Sequence, residues 1–194
     1  MCTSANRVSR GCRSAKQVQQ KTASVSGGVY LSYRHNELMT QVEISVLVEA
    51  DAGTVEVLGQ LLAQVSSSDL VLHADRVREV LRTPSTSILV ARLDGKIVGM
   101  ALLLTLTTLA RTTGYVEEVV VDQAARGQHV STALMTALLD LAASKGIEFV
   151  DLTSRPARRV ANGLYQSLGF KLRETNCYRY DLPQTASSRR GAGR

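Results

Sequence analysis

Arg126 and Gly127 open the stretch RGQHVS (126–131), which joins the apolar run VEEVVV to TALMTALLDLAA, where apolar residues recur at helical spacing. A strand that turns through a basic, glycine-containing segment into a helix presents backbone N–H groups at the positive end of the helix dipole. Such a junction holds phosphate. The residues available to do so are Arg126, Gly127, Gln128, His129, Val130, Ser131 and Thr132, with the last two hydroxyls able to add a hydrogen bond. His129 either titrates near neutral pH and meets phosphate as a cation, or covers the helix start and points to solvent. On the strand before the turn, Glu117 and Glu118 are neighbours, so regular alternation sends one to each face and one of them to any cleft.

Other chemistries find less support. His35, His73 and His129 are scattered, and Cys2, Cys12 and Cys177 lack metal-ligand spacing, so no metal site and no Ser/His/Asp set is expected. Cys177, with no histidine near it in sequence, is expected to pack in a strand and not to carry an acyl group. The chain contains neither G-x-x-x-x-G-K-[ST] nor G-x-G-x-x-G, which excludes the two common nucleotide-phosphate loops.

At 194 residues the chain suits one folded domain with a real core. The net charge of +6 suggests nucleic acid until it is divided along the sequence. Residues 1–36 hold Arg7, Arg10, Arg13, Lys16, Lys21 and Arg34 with no acid, and residues 183–194 add Arg189, Arg190 and Arg194. All 17 acids therefore lie in 37–182 with only 14 of the 23 basic residues. The basicity belongs to the ends, so no nucleic-acid-gripping face is expected of the domain. Its apolar runs are too short to span a membrane, and the cysteine usage fits reduced thiols and a cytoplasmic setting.

Residues 1–38 are rich in Ser, Arg, Lys and Gly and are expected to form a disordered extension. They are read as a dispensable extension or an early start, with an organelle transit peptide as the alternative. The domain is placed at 39–182, and 183–194 as a disordered tail.

Within that domain QVEISVLVEA (41–50) alternates like a half-buried strand, and 51–65 shows helical spacing with Asp51 available to cap. Residues 70–84 predict a second helix ended by Pro84. Asp94-Gly95 marks a hairpin within 85–110, and 115–121 predicts a further strand. Helix 130–145 closes at Gly146, strand 149–154 follows by a parallel crossover, and helix 160–168 ends at Gly169. A last strand is predicted over 171–182. The order β-α-α-β-β-β-α-β-α-β describes an α/β domain whose mixed sheet is mostly antiparallel.

This order and two motifs resemble the GNAT superfamily of acyl-CoA N-acyltransferases over roughly residues 41–182. The first is a strand followed by Arg/Gln-x-x-Gly-x-Gly/Ala at a helix start. Here Arg126 takes the first position, while His129 and Ser131 stand for the two small residues. The second is Ala-x-x-x-Tyr-x-x-x-Gly-Phe, present as Ala161, Tyr165, Gly169 and Phe170. The resemblance implies the GNAT fold, with four helices and a parallel strand pair that splays apart. It also implies an acetyl-CoA-dependent N-acetyltransferase acting on a primary amine by direct attack. The turn 126–132 would hold the coenzyme A pyrophosphate, and Val119 and Val121 would pair with the pantetheine arm. Tyr165 would protonate the departing thiolate, and Asn162 stands in for the amide that Arg158 replaces. A carboxylate on the strand would act as base, Glu118 before Glu117. Members of this fold are often dimers, so a homodimer is an expectation. A non-catalytic coenzyme A sensor of the same fold is the alternative, and would need neither Tyr165 nor the carboxylate.

Overall fold

The computed structural model describes residues 20–25, 28–33, 42–65 and 71–183. They fall in two compact units, one through Arg158 and one from Arg159.

The first unit is built on a seven-stranded sheet in the order β1-β2-β3-β4-β5-β6-β7. Strands β1 (Gln20–Val25), β2 (Gly28–Tyr33), β3 (Glu43–Val46), β4 (Thr86–Leu93), β5 (Lys96–Thr107) and β6 (Thr112–Val121) pair antiparallel in succession. Strand β7 (Val150–Leu152) pairs parallel with β6. The mixed, mostly antiparallel α/β sheet agrees with the sequence expectation, and the parallel pair is the expected one.

The first helix, α1 (Ala52–Ala63), starts where Asp51 accepts a 2.7 Å hydrogen bond from the Thr54 N–H. This satisfies one orphan donor of the helix start, as expected of a capping Asp. It buries Val55, Leu58, Leu61 and Leu62. Helix α2 (Ala74–Arg82) ends just before Thr83 and Pro84, and Val77 is its buried residue. These side chains form one core with Ile88, Val90, Met100 and Val120 of the sheet. The hairpin turn has Asp94 at φ 49° and Gly95 at φ 77°, the doubly left-handed turn that suits strand twist. Helix α3 (Val130–Ser144) buries Val130, Leu134, Met135 and Leu138. It closes with Gly146 at φ 68°, where the Gly146 and Ile147 N–H groups bond to the Ala143 and Ala142 carbonyls. Among the described residues no helix is long and apolar enough to cross a membrane.

Two expectations are corrected. Residues 20–25 and 28–33, placed in a disordered extension, pair with each other and with β3, Leu31 lying opposite Ile44. Composition misses this because a ladder with a strand further along the chain leaves no local signal. The remainder of 1–38, and the tail from 184, lie outside the described residues.

The second unit holds α4 (Arg159–Ser167), which ends at Gly169 with φ 93°. The strand expected over 171–182 is not formed. Its alternating pattern is present, but a strand exists only through a ladder partner, and this segment has none among the described residues.

Candidate active site

Strands β5 and β6 lose step in the middle of their ladder. Val120 lies opposite Met100 and Glu117 opposite Leu102, so Glu118 and Val119 together face the single residue Ala101. This is a β-bulge, and Glu118 takes its left-handed position with φ 52°. A non-glycine residue held there costs on the order of 1–2 kcal/mol. The surroundings enforce it, because Val116 and Val120 on either side, and Ala101 opposite, are buried.

The bulge decides where backbone groups point. Early in β6, the Gly114 N–H donates to the Phe149 carbonyl at 2.9 Å, toward the β7 side. At its end, the Asp122 N–H donates to the Val98 carbonyl of the β5 side at 2.8 Å. Even-numbered N–H groups thus turn to β7 before the bulge and to β5 after it. By strand alternation the Val119 and Val121 N–H groups face away from β5. The β7 ladder has by then ended, its last pair being Val116 with Leu152. Gly99 lets β5 press against this part of β6, since a Cβ there would lie 3.0 Å from the Val120 carbonyl oxygen and 3.1 Å from the Leu134 side chain.

The bulge sets Glu117 opposite Leu102 and Glu118 beside Ala101, and both carboxylates are exposed. Although Glu118 keeps accessible surface, protein crowding around its carboxyl strips away hydration and raises its pKa. The negative charge of Glu117 raises it further, while Arg76 on α2 opposes the shift. Burial and the Glu117 charge thus make this carboxylate a better proton acceptor than an ordinary surface glutamate.

Beyond β6, Asp122 caps a single 3-10 turn, Gln123–Ala125, by accepting from the Ala124 N–H at 2.8 Å. Ala125 and Val130 are buried, and Arg126, Gly127, Gln128 and His129 between them are exposed. Gly127 has φ 80° and His129 φ 58°, so the chain makes two left-handed steps within three residues. The first helical bond of α3 runs from the Ala133 N–H to the His129 carbonyl, which leaves the Val130, Ser131 and Thr132 N–H groups before it. His129 makes no side-chain cap bond. Its φ explains why a glycine fits this position.

Sequence reasoning did not single out Gln64. It follows α1, donates to the Asp122 carboxylate at 3.2 Å and accepts from the Gln123 N–H at 3.3 Å, pinning the exit of β6. Nothing local signals this role, because the partners are 58 and 59 residues away.

In the second unit, Tyr165 is half-buried on α4 with its ring edge-on to Phe170 at 5.9 Å. The Phe170 N–H donates to the Tyr165 carbonyl at 3.0 Å. Asn162, also half-buried, lies three residues before Tyr165 and so on the same helix face. The structure therefore gathers Glu117, Glu118, Val119, Val121 and the turn 126–132 in one unit, and Asn162 with Tyr165 in the other.

The sequence pattern of the acetyltransferase (GNAT) family matches residues 59–170, which include the bulge, the turn and α4. A glucosamine 6-phosphate N-acetyltransferase of Trypanosoma brucei brucei is 32% identical over 142 residues, covering 70% of this chain and 93% of that protein. The chain belongs to the GNAT family. It is thus an N-acetyltransferase by family, and GNAT enzymes use acetyl-CoA. Among solved structures, an acetyltransferase of Trypanosoma brucei is 26% identical with TM-score 0.61, covering 73% of this chain and 99% of the other. An aminoglycoside acetyltransferase from an uncultured soil metagenomic sample shares the fold at TM-score 0.66 and 22% identity, covering 74% of this chain and 97% of the other.

For a GNAT turn that spends a left-handed conformation on a histidine, His129→Gly has a definite expected outcome. Glycine relieves about 1 kcal/mol of backbone strain in free and bound protein alike, which favours the fold and not the ligand. It is removal of the Cβ and imidazole from beside the bound pyrophosphate that should tighten acetyl-CoA binding several-fold. Calorimetric titration of both proteins measures it, and weaker binding by the variant would show that the imidazole contributes contacts to the ligand.

Proposed function

We propose that this GNAT enzyme transfers the acetyl group of acetyl-CoA to the primary amine of a hexosamine phosphate, of which glucosamine 6-phosphate is the first to test. The observation that carries the transfer is the bulge at Glu118, where unladdered N–H groups and a carboxylate of raised pKa lie on one short stretch of β6. The N–H groups of 128–132 and the Arg126 cation take the pyrophosphate. Those of Val119 and Val121 take the pantetheine arm, and one of them polarises the thioester carbonyl.

Glu118, through water, accepts the proton that the acceptor ammonium loses. The neutral amine attacks the carbonyl carbon, a C–N bond forms, and the C–S bond breaks. Tyr165 donates its phenolic proton to the leaving thiolate and regains one from solvent. Each proton transfer contributes about a hundredfold or more, and holding both substrates together supplies much of the rest.

The hexosamine phosphate is suggested by the trypanosome relative, which covers most of its length with this chain. Arg76, ion-paired with Glu79 at 2.9 Å on α2, also acts on Glu118 and is the cation an acceptor phosphate would compete for. Asp69, compatible with a cationic amine, lies outside the described residues. Release of free thiol from acetyl-CoA, measured with glucosamine 6-phosphate, glucosamine, sisomicin and a peptide N-terminus, tests the assignment. A kcat/KM for the phosphorylated sugar at least tenfold above the others is expected. Preference for an unphosphorylated amine would overturn the acceptor class, and thiol release with none of the four would overturn the amine set.

A further inference from the structure

Thr153 and Ser154 continue the chain of β7 after its last pair with β6, Leu152 with Val116. Counting on from that pair, Thr153 comes level with Glu117. Glu118 and Val119 share the next step, because together they face Ala101, so Ser154 comes level with the bulge. Thr153 is exposed and Ser154 half-buried. The Ser154 Oγ is buried and has no hydrogen-bond partner among the described residues. A buried hydroxyl left unpaired costs stability that an alanine in its place would not forfeit, so each such group calls for an explanation. Thr105 Oγ1 is in the same condition, but it lies inside a closed ladder. Thr105 pairs with Gly114 of β6 and donates its N–H to the Ser85 carbonyl at 2.6 Å. Ser154 stands instead where the β7 ladder has ended and the Val119 and Val121 N–H groups of β6 face away from β5.

We propose that Ser154 is a binding residue for the pantetheine arm of coenzyme A, its Oγ accepting a hydrogen bond from the arm's last amide N–H across the gap from Val119 and Val121. This contact rests on the seating of the arm along β6, and no part of it depends on the acceptor. The arm comes from the turn 126–132, so its last amide reaches Val121 before its thioester reaches Val119. A trans amide points its carbonyl and its N–H in opposite directions. When the Val121 N–H donates to the amide carbonyl, the amide N–H turns to the far side of the gap. A neighbouring strand would meet that N–H with a backbone carbonyl. With the ladder ended, the serine hydroxyl oxygen takes the carbonyl's place. Held from both sides, the amide fixes how far along β6 the thioester can travel.

Calorimetric titration of the full chain, Ser154→Ala and Thr105→Ala uses acetyl-CoA and adenosine 3′,5′-bisphosphate, which lacks the arm. Thermal melts of the ligand-free proteins accompany it. Ser154→Ala should raise the acetyl-CoA dissociation constant about fivefold or more, the share of one buried hydrogen bond, and leave bisphosphate binding unchanged. Its ligand-free melt should not fall, because the change removes an unpaired buried oxygen and no hydrogen bond that the fold uses. Thr105→Ala should bind acetyl-CoA like the parent. Equal acetyl-CoA binding by parent and Ser154→Ala, an equal loss for the bisphosphate, or a lower ligand-free melt would each overturn the role of Ser154. A parent that binds no acetyl-CoA would overturn the seating of the arm along with it.

Discussion

Glu118→Gln should lower kcat about a hundredfold while leaving the binding of acetyl-CoA nearly unchanged. The glutamine keeps the shape of the side chain and the bulge but cannot accept the proton. In the parent enzyme the rate should rise with pH as Glu118 ionises and level off above its raised pKa; in the variant that limb should vanish. Stability moves in the opposite sense. A carboxyl whose folded pKa lies above its unfolded one is favoured in the native state when protonated, because burial and Glu117 both oppose its charge. Its stabilising contribution is complete below the ordinary glutamate range and is lost as pH rises through the folded pKa. Above the folded pKa the ionised form is a cost, so there Glu118→Gln should melt no lower than the parent. Parallel pH–rate profiles and thermal melts check both halves, with Glu117→Gln as the comparison. If Glu117→Gln abolished the limb and Glu118→Gln kept it, the base would have to be reassigned to Glu117.

Tyr165→Phe should cost a similar factor in kcat with little change in either KM. The substitution removes only the phenolic oxygen, and the edge-on contact with Phe170 remains to hold the ring. Loss confined to kcat marks an interaction made in the transition state alone. The deficit should shrink with a thioester whose leaving thiol is more acidic, since such a thiolate needs less help from a proton donor. An unchanged rate would remove Tyr165 from the mechanism and leave the thiolate to depart unassisted.

Much of the first unit was legible because its signals are local. Asp94-Gly95 makes its turn whatever surrounds it, Asp51 caps the helix that follows it, and Gly146 ends α3 by its own conformation. The family motifs placed the turn at 126–132 and Tyr165 on a helix for the same reason. What escaped depends on partners distant in sequence. The pairing of 28–33 with β3 is one such case, and Gln64 at the exit of β6 is another. The bulge is the clearest: the alternation of VEEVVV is regular on paper, and only the ladder with β5 shows two residues opposite Ala101. Conversely, the strand expected over 171–182 is not formed, because a sequence pattern cannot supply the neighbour that turns it into a strand.

Glu118 is one residue more than β6 needs to match β5. Its flanks already have their partners, Glu117 with Leu102 and Val120 with Met100, so shortening the strand by that residue would let the two halves meet in ordinary pleat without moving either anchor. The architecture thus carries a surplus residue that assembly does not require, in the position where the proposed chemistry is concentrated. Strand length, and not only side-chain identity, separates a foldable version of this domain from a working one. Libraries built on β6 should therefore treat a single deletion as the cleanest way to keep the scaffold and discard the reaction.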